Sequence, residues 1–121
     1  MKKLSDAELI VMEVLWSHDF MLLGEIVDAL KKKTNWSRNT VHTYLTRMEK
    51  KGIVMINKNV EPHQYSFLLS KEEYSQVERE RLLNRIYQGD VGDLVVAFLK
   101  EAKITAEEKE RLNKLLDEME V

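Results

Sequence analysis

The apolar period of this chain changes at Gly52, and that change limits what it can fold into. Before it, Val41, Tyr44, Leu45 and Met48 recur at i, i+3, i+4 and i+7, one face of a helix. After it, Ile53 to Ile56 form a short apolar strand, and Gln64-Tyr65-Ser66-Phe67-Leu68 alternates as a returning strand. Asn57 to His63, with Asn59 and Pro62, is turn material between them. A hairpin this small is marginal alone, so it must lean on helices. Ser37 is the natural N-cap of the preceding helix, and Gly52 stands where a left-handed C-cap is expected.

Two further helices are expected upstream. Ser5-Asp6-Ala7-Glu8 reads as a capping box. It opens a helix to about Ser17 along Leu9, Met12 and Trp16, with Val11 and Leu15 widening the stripe. Gly24 to Lys33 reads as a short second helix facing inward through Ile26, Val27 and Leu30. Three helices followed at once by a hairpin is the order of a winged helix-turn-helix. The expected fold is therefore mainly α with a small β-hairpin, with a winged-helix domain over residues 1–69.

Residues 70–121 read as three more helices. Capping boxes at Ser70-Lys71-Glu72-Glu73 and Thr105-Ala106-Glu107-Glu108 open the first and last, and Gln88-Gly89-Asp90 interrupts the first two. Their apolar residues include Leu83 and Ile86, then Leu94, Val95, Phe98 and Leu99, then Leu112, Leu115 and Leu116. Fifty-odd residues enclose little core. Stripes this apolar need a partner surface, either the first part of the chain or a second copy. The breadth that Val96 and Ala97 add to the middle stripe favours a homodimer.

Composition narrows the function. Among 121 residues there is no cysteine, which excludes disulfides, Cys-based zinc sites and a cysteine nucleophile. The histidines and acids show no metal-ligand spacing, no Gly-rich phosphate loop is present, and no cofactor is implied. An enzyme is therefore not expected. No apolar stretch is long enough to span a membrane, and the lysines at the start are not followed by a signal-peptide core, so a cytoplasmic protein is expected.

Charge is the positive clue. The chain carries a net −2, yet Lys31 to Lys58 hold eight basic residues against the single acid Glu49. Most charge runs are merely solvated faces. Here the run coincides with the third helix, whose outer side presents Asn39, Thr43, Thr46 and Lys50, flanked by His42 and Arg47, with Arg38 and Thr40 in the first turn. Short hydroxyl and amide groups beside arginine suit base edges and phosphate oxygens of double-stranded DNA. Asn39, Thr40, Thr43 and His42 are placed to read bases, Arg47 and Lys50 to grip phosphates. Lys58 and Asn59 can reach from the wing, and Trp36 either touches the sugar-phosphate chain or staples the helix start. The rival is a helical interaction module whose basic face binds an acidic protein.

The runs Leu9-Ile10-Val11-Met12-Glu13-Val14-Leu15-Trp16, Asn35-Trp36-Ser37, Thr40-Val41 and Leu45 to Gly52 resemble the BlaI/MecI/CopY family of bacterial repressors. Glu72-Glu73-Tyr74 and Leu94-Val95-Val96-Ala97-Phe98 extend the likeness over nearly the whole chain. The resemblance implies a winged-helix homodimer repressing transcription at a palindromic operator. The penicillinase branch controls β-lactam resistance and is inactivated by proteolysis when a membrane sensor protease detects the drug. Its cleavage bond corresponds to Ala97-Phe98, where relatives usually carry Asn before Phe. Asn39 stands where relatives often have lysine, which implies a different operator. The wing has Glu61-Pro62-His63 in place of a frequent Gly-Arg pair. The absence of cysteine disfavours the copper-responsive branch.

Overall fold

A computed structural model describes residues 3–121. Packing divides the chain into two compact units, Met1–Glu78 and Arg79–Val121. The first holds α1 (Asp6–Leu15), β1 (Met21–Leu22), α2 (Leu23–Leu30), α3 (Arg38–Lys51), β2 (Val54–Asn57), β3 (Gln64–Phe67) and the first turns of α4 (Lys71–Ile86).

Local chemistry sets the helix ends. The Ser5 N–H donates to Glu8 Oε1 at 2.8 Å and the Glu8 N–H to Ser5 Oγ at 3.2 Å, the reciprocal box that starts α1. At the end of α3, Gly52 adopts φ 83°, its N–H donating to Glu49 O and that of Ile53 to Met48 O. This pair of bonds is the Schellman arrangement, and Met48 and Ile53, which frame it, are both buried. The chain thereby leaves the helix aimed into β2.

The deepest residues of α1 are Val11, Met12 and Leu15. The stripe through Leu9 and Trp16 is only partly covered, a roll away from the expected face. Trp16 explains it: its indole N–H donates to Leu69 O at 2.9 Å and its ring meets Tyr74 at 6.1 Å between centroids. That contact ties the start of α4 to the first unit, which therefore extends to Glu78, beyond the division drawn near Leu69.

The hairpin has a third strand that the sequence reading lacks. Met21 and Leu22 pair antiparallel with Tyr65 and Gln64, so the sheet order is β1-β3-β2 with β3 central. Its register on the other side pairs Val54 with Phe67 and Ile56 with Tyr65. Flanked on both edges, β3 buries Tyr65 almost completely. α2 begins at Leu23 rather than Gly24 because the Glu25 carboxylate accepts the Leu22 N–H at 2.8 Å. The core gathers where α1, α2, α3 and the sheet meet, with Ile26, Leu30, Val41, Leu45 and Met48 at its centre.

The second unit contains the rest of α4, α5 (Val91–Glu101) and α6 (Ala106–Glu118). Asp90 Oδ1 caps α5 by accepting the Asp93 N–H at 2.9 Å, and Thr105 and Glu108 form a reciprocal box on α6. None of the three helices has a buried residue. Ile86 is 62% exposed, Phe98 54% and Leu116 60%.

Leu45→Ala is expected to lower the stability of the first unit by about 2–5 kcal/mol, the range for a large-to-small change in a closed core. Urea unfolding followed by tryptophan fluorescence measures it, and a loss below about 1 kcal/mol would mean that this core can collapse around the gap.

Candidate nucleic-acid interface

α3 is the element on which the site is built. Val41, Leu45 and Met48 are each 0% exposed, so one side of the helix is sealed. Tyr44, the fourth residue of the expected apolar face, is half-buried and lies against Trp36, ring centroids 4.8 Å apart. Trp36 thus packs on the flank of α3 through Tyr44, partly buried against the core. Ser37 caps the helix by accepting the Thr40 N–H at 3.2 Å and donates its hydroxyl to Thr40 Oγ1 at 3.1 Å.

The opposite side faces outward. Arg38, Asn39, His42, Arg47 and Lys50 are exposed, and Thr40, Thr43 and Thr46 are half-exposed. Asn39, Thr40, Thr43, Tyr44 and Arg47 border a shallow depression of about 180 Å³. Thr43 donates its hydroxyl to Asn39 O and Thr46 to His42 O, each at 3.0 Å. Both threonines therefore turn a methyl group and oxygen lone pairs outward, a surface that suits a thymine methyl or an amino donor on a base edge.

The basic run separates into two sets. Lys31 pairs with Asp28 at 3.4 Å, Lys33 with Glu13 at 3.5 Å and Lys58 with Glu49 at 3.3 Å. Lys51 reaches Glu8 at 2.8 Å and the Lys3 carbonyl at 2.6 Å, away from the outer face. Burial raises the Glu8 carboxyl pKa, but hydrogen bonds from Lys51 and Ser5 outweigh that and hold it below the ordinary carboxylate range. Lys51 is thus a structural cation. Among the described residues, the members of the run without an ion-pair partner are Lys32 and the α3 cations Arg38, Arg47 and Lys50. In the wing, the Asn57 side chain accepts the Asn59 N–H at 3.0 Å, and Lys58 lies against α3 through Glu49 instead of projecting alone.

A cleft of about 580 Å³ opens beside the first turns of α3, between them, the start of α2 and the wing. Arg38, His42, Glu25, Asp28, Glu61, His63 and Tyr65 line it. His63 Nε2 is 3.1 Å from Glu61 Oε1. Burial pushes the Tyr65 phenol above its usual range, with Arg38 nearby opposing. His63 and the two α2 acids lie outside the set expected from sequence. Three distant segments form this wall, and no local spacing signals it.

The residues expected to mediate self-association all lie on α4, α5 and α6. Leu83, Leu94 and Leu112 are partly covered, while Ile86, Val95, Phe98, Leu99, Leu115 and Leu116 are exposed. Ala97 and Phe98 sit within α5, so the bond between them is helical. Among the described residues there is no group of three or more acids or histidines that could hold a metal ion, and no helix is long and apolar enough to cross a membrane.

A family model described as "Penicillinase repressor" matches residues 4–118. The penicillinase repressor of Bacillus licheniformis is 35% identical over 116 residues, covering 96% of this chain and 91% of the relative. The methicillin resistance regulatory protein MecI of Mammaliicoccus sciuri is 26% identical over 115 residues, covering 95% and 94%. Among solved structures, the DNA-binding domain of the repressor BlaI is similar, with a TM-score of 0.53 and 36% identity over 61% of this chain and 94% of that one. So is monomeric Bacillus licheniformis BlaI in complex with the blaP half-operator, with a TM-score of 0.53 and 34% identity over 60% and 89%.

Ser37→Ala removes the cap that positions the first turn of α3, and is expected to cost about 1 kcal/mol of stability. Thermal unfolding followed by circular dichroism reads it. An unchanged midpoint would show that the Ser37–Thr40 contacts contribute nothing at the start of this helix.

Proposed function

The chain belongs to the penicillinase repressor family, and from that premise we propose that it is a DNA-binding transcriptional repressor of β-lactam resistance genes, acting in the cytoplasm as a homodimer on a palindromic operator. One observation carries the reading. The cations of α3 that have no ion-pair partner among the described residues, Arg38, Arg47 and Lys50, share its outward side with Asn39, Thr40, Thr43 and Thr46. A fourteen-residue helix is about 21 Å long, enough to lie in a major groove roughly 12 Å wide.

The roles follow from position. Asn39, Thr40 and Thr43 meet base edges at the amino end of α3, Asn39 with the amide geometry that suits adenine. Arg47 and Lys50 grip phosphates further along, where they fix register. Lys58 reaches the backbone by exchanging Glu49 for a phosphate, an exchange that costs little because exposed pairs contribute about 0–1 kcal/mol. Residues 1–69 carry the reading surface and residues 70–121 the helices that pair two copies, the first turns of α4 packing with the first unit. The uncovered apolar stripes of α5 and α6 support pairing with a second copy. Two copies then set their α3 helices in major grooves one turn apart, about 34–36 Å. Relief follows from proteolysis by a membrane sensor at Ala97-Phe98, which splits the α5 stripe.

Arg47→Ala is expected to weaken binding to all duplexes alike and to lower the salt slope by about one. Asn39→Ala is expected to relax preference at one base pair by about 1–3 kcal/mol. Fluorescence anisotropy over a salt series and a set of operator variants separates the two, and identical profiles would reject the division of roles. An acidic protein partner in place of DNA would show as no duplex binding at low salt.

Replacing Leu94 and Phe98 by glutamate is expected to give monomers and lower operator affinity together, and cleavage at Ala97-Phe98 to do the same. Light scattering that finds the mass of the Leu94 and Phe98 variant unchanged would reject this dimer surface.

A further inference from the structure

The cleft beside α3 is large enough for a small molecule: its volume of about 580 Å³ falls within the roughly 300–1,000 Å³ of ligand pockets. Its deepest polar group is Tyr65 of the central strand. The residue is 3% exposed, and among the described residues its phenol makes no hydrogen bond. A buried phenol normally finds a partner. No sealed polar side-chain atom among those residues lacks one, so the Tyr65 hydroxyl is not sealed, and what it opens onto is the cleft that Tyr65 lines. Burial holds the phenol in its protonated form, with Arg38 close enough to oppose that shift, so the hydroxyl stands ready to donate.

Arg38 is the second donor. Its guanidinium reaches the start of α2, with Nη1 3.7 Å from where a Cβ on Gly24 would stand. Glu25 and Asp28 of α2 and Glu61 of the wing line the same cleft, yet Arg38 forms no ion pair among the described residues. Opposite charges that share a wall without touching leave a gap between them. Each acid is engaged through one oxygen: Glu25 by the Leu22 N–H at 2.8 Å, Asp28 by Lys31 at 3.4 Å and Glu61 by His63 at 3.1 Å. The second oxygen of each remains for a cation.

We infer that this cleft is a binding site for a small zwitterion, whose carboxylate meets Arg38 and the Tyr65 hydroxyl and whose ammonium group meets the acids of α2 and the wing. A ligand with both charges fits where one with a single charge does not. A bare anion faces three carboxylates, and a bare cation leaves the guanidinium and the phenol without partners. Leu22 and Pro62 supply apolar surface for the methylenes between the two ends. Occupancy withdraws Arg38 from DNA, because a carboxylate seated on its guanidinium competes with a phosphate for the same donors. That consequence rests on the repressor reading above, whereas binding in the cleft does not.

Binding is measured on the full chain without DNA, from backbone amide resonances, as a series of ω-amino acids from glycine through γ-aminobutyrate to ε-aminocaproate is added. Butyrate and butylamine are the single-charge controls. At least one member is expected to bind at millimolar concentration and to move the amides of Leu22 to Glu25 and of His63 to Tyr65, with both controls about tenfold weaker. Tyr65→Phe keeps the core filled and removes only the oxygen. It is expected to weaken that ligand about tenfold, the loss of a hydrogen bond to a charged group. At saturation the ligand, which adds no ionic strength, is expected to lower the salt slope for a mixed-sequence duplex by about one, as one phosphate contact is withdrawn. No member moving these amides, a control that binds as tightly, or unchanged binding by Tyr65→Phe overturns the site. An unchanged duplex affinity and slope at saturation overturns its competition with DNA. Ligand binding by a chain that binds no duplex at low salt overturns the repressor reading and leaves the site standing.

Discussion

Three side chains fix the roll of α3 about its own axis. Val41, Leu45 and Met48 have no exposure at all and are closed in where α3 meets α2 and β2. A helix is stiff between its ends, so sealing one side determines the direction of every other side chain on it. The outward placement of Asn39, Thr43, Arg47 and Lys50 is a consequence of that seal. Both ends are held as well, by the Ser37 cap and by the left-handed Gly52, and the Trp36–Tyr44 contact closes the flank near the start. The proposed reading surface thus inherits its precision from the core beneath it, which is how a set of short side chains can be held in register without long contacts of their own.

Electrostatics then selects which cations matter. The basic run looks uniform as a string of letters, but acids of the same unit neutralise Lys31, Lys33, Lys51 and Lys58. Apart from the half-buried Lys51–Glu8 pair, these are exposed pairs that contribute little to stability. Their effect is on the field: they remove competing positive charge from the sides and leave the outer face of α3 as the positive edge. Glu49 is the one acid on that helix, and Lys58 from the wing covers it. In the free protein the wing thus cancels the one negative charge on α3.

What the sequence made legible is what short range determines. The caps at Ser5, Ser37, Ser70 and Thr105, the left-handed Gly52 and the polar side of α3 all depend on residues within four positions of one another. β1 escaped because two residues have no period, and the partners that define it, Tyr65 and Gln64, lie far along the chain. The structural role of Lys51 was hidden in the same way, since Glu8 approaches it only through the fold. So was the cleft, whose acids and histidines come from α2, α3 and the wing. The roll of α1 could not be read because it turns on one hydrogen bond, from the Trp16 indole to Leu69 O.

The contrast between the two units bears on how such a protein can be switched. The first has a closed core, while the second has three capped helices without one buried residue. Among the described residues α3 offers only three cations without an ion-pair partner, and the logarithm of affinity for DNA grows with the number of phosphates contacted. In the proposed dimer the second half-site binds from an effective concentration set by the linkage, so the pair holds DNA far better than either copy. That gain resides entirely in α4, α5 and α6. Cutting within α5 forfeits it while leaving the seal under α3 intact, because Val41, Leu45 and Met48 all lie in the other unit. In the proposed switch, cleavage therefore inactivates the repressor without unfolding it, by destroying the coupling between two reading surfaces.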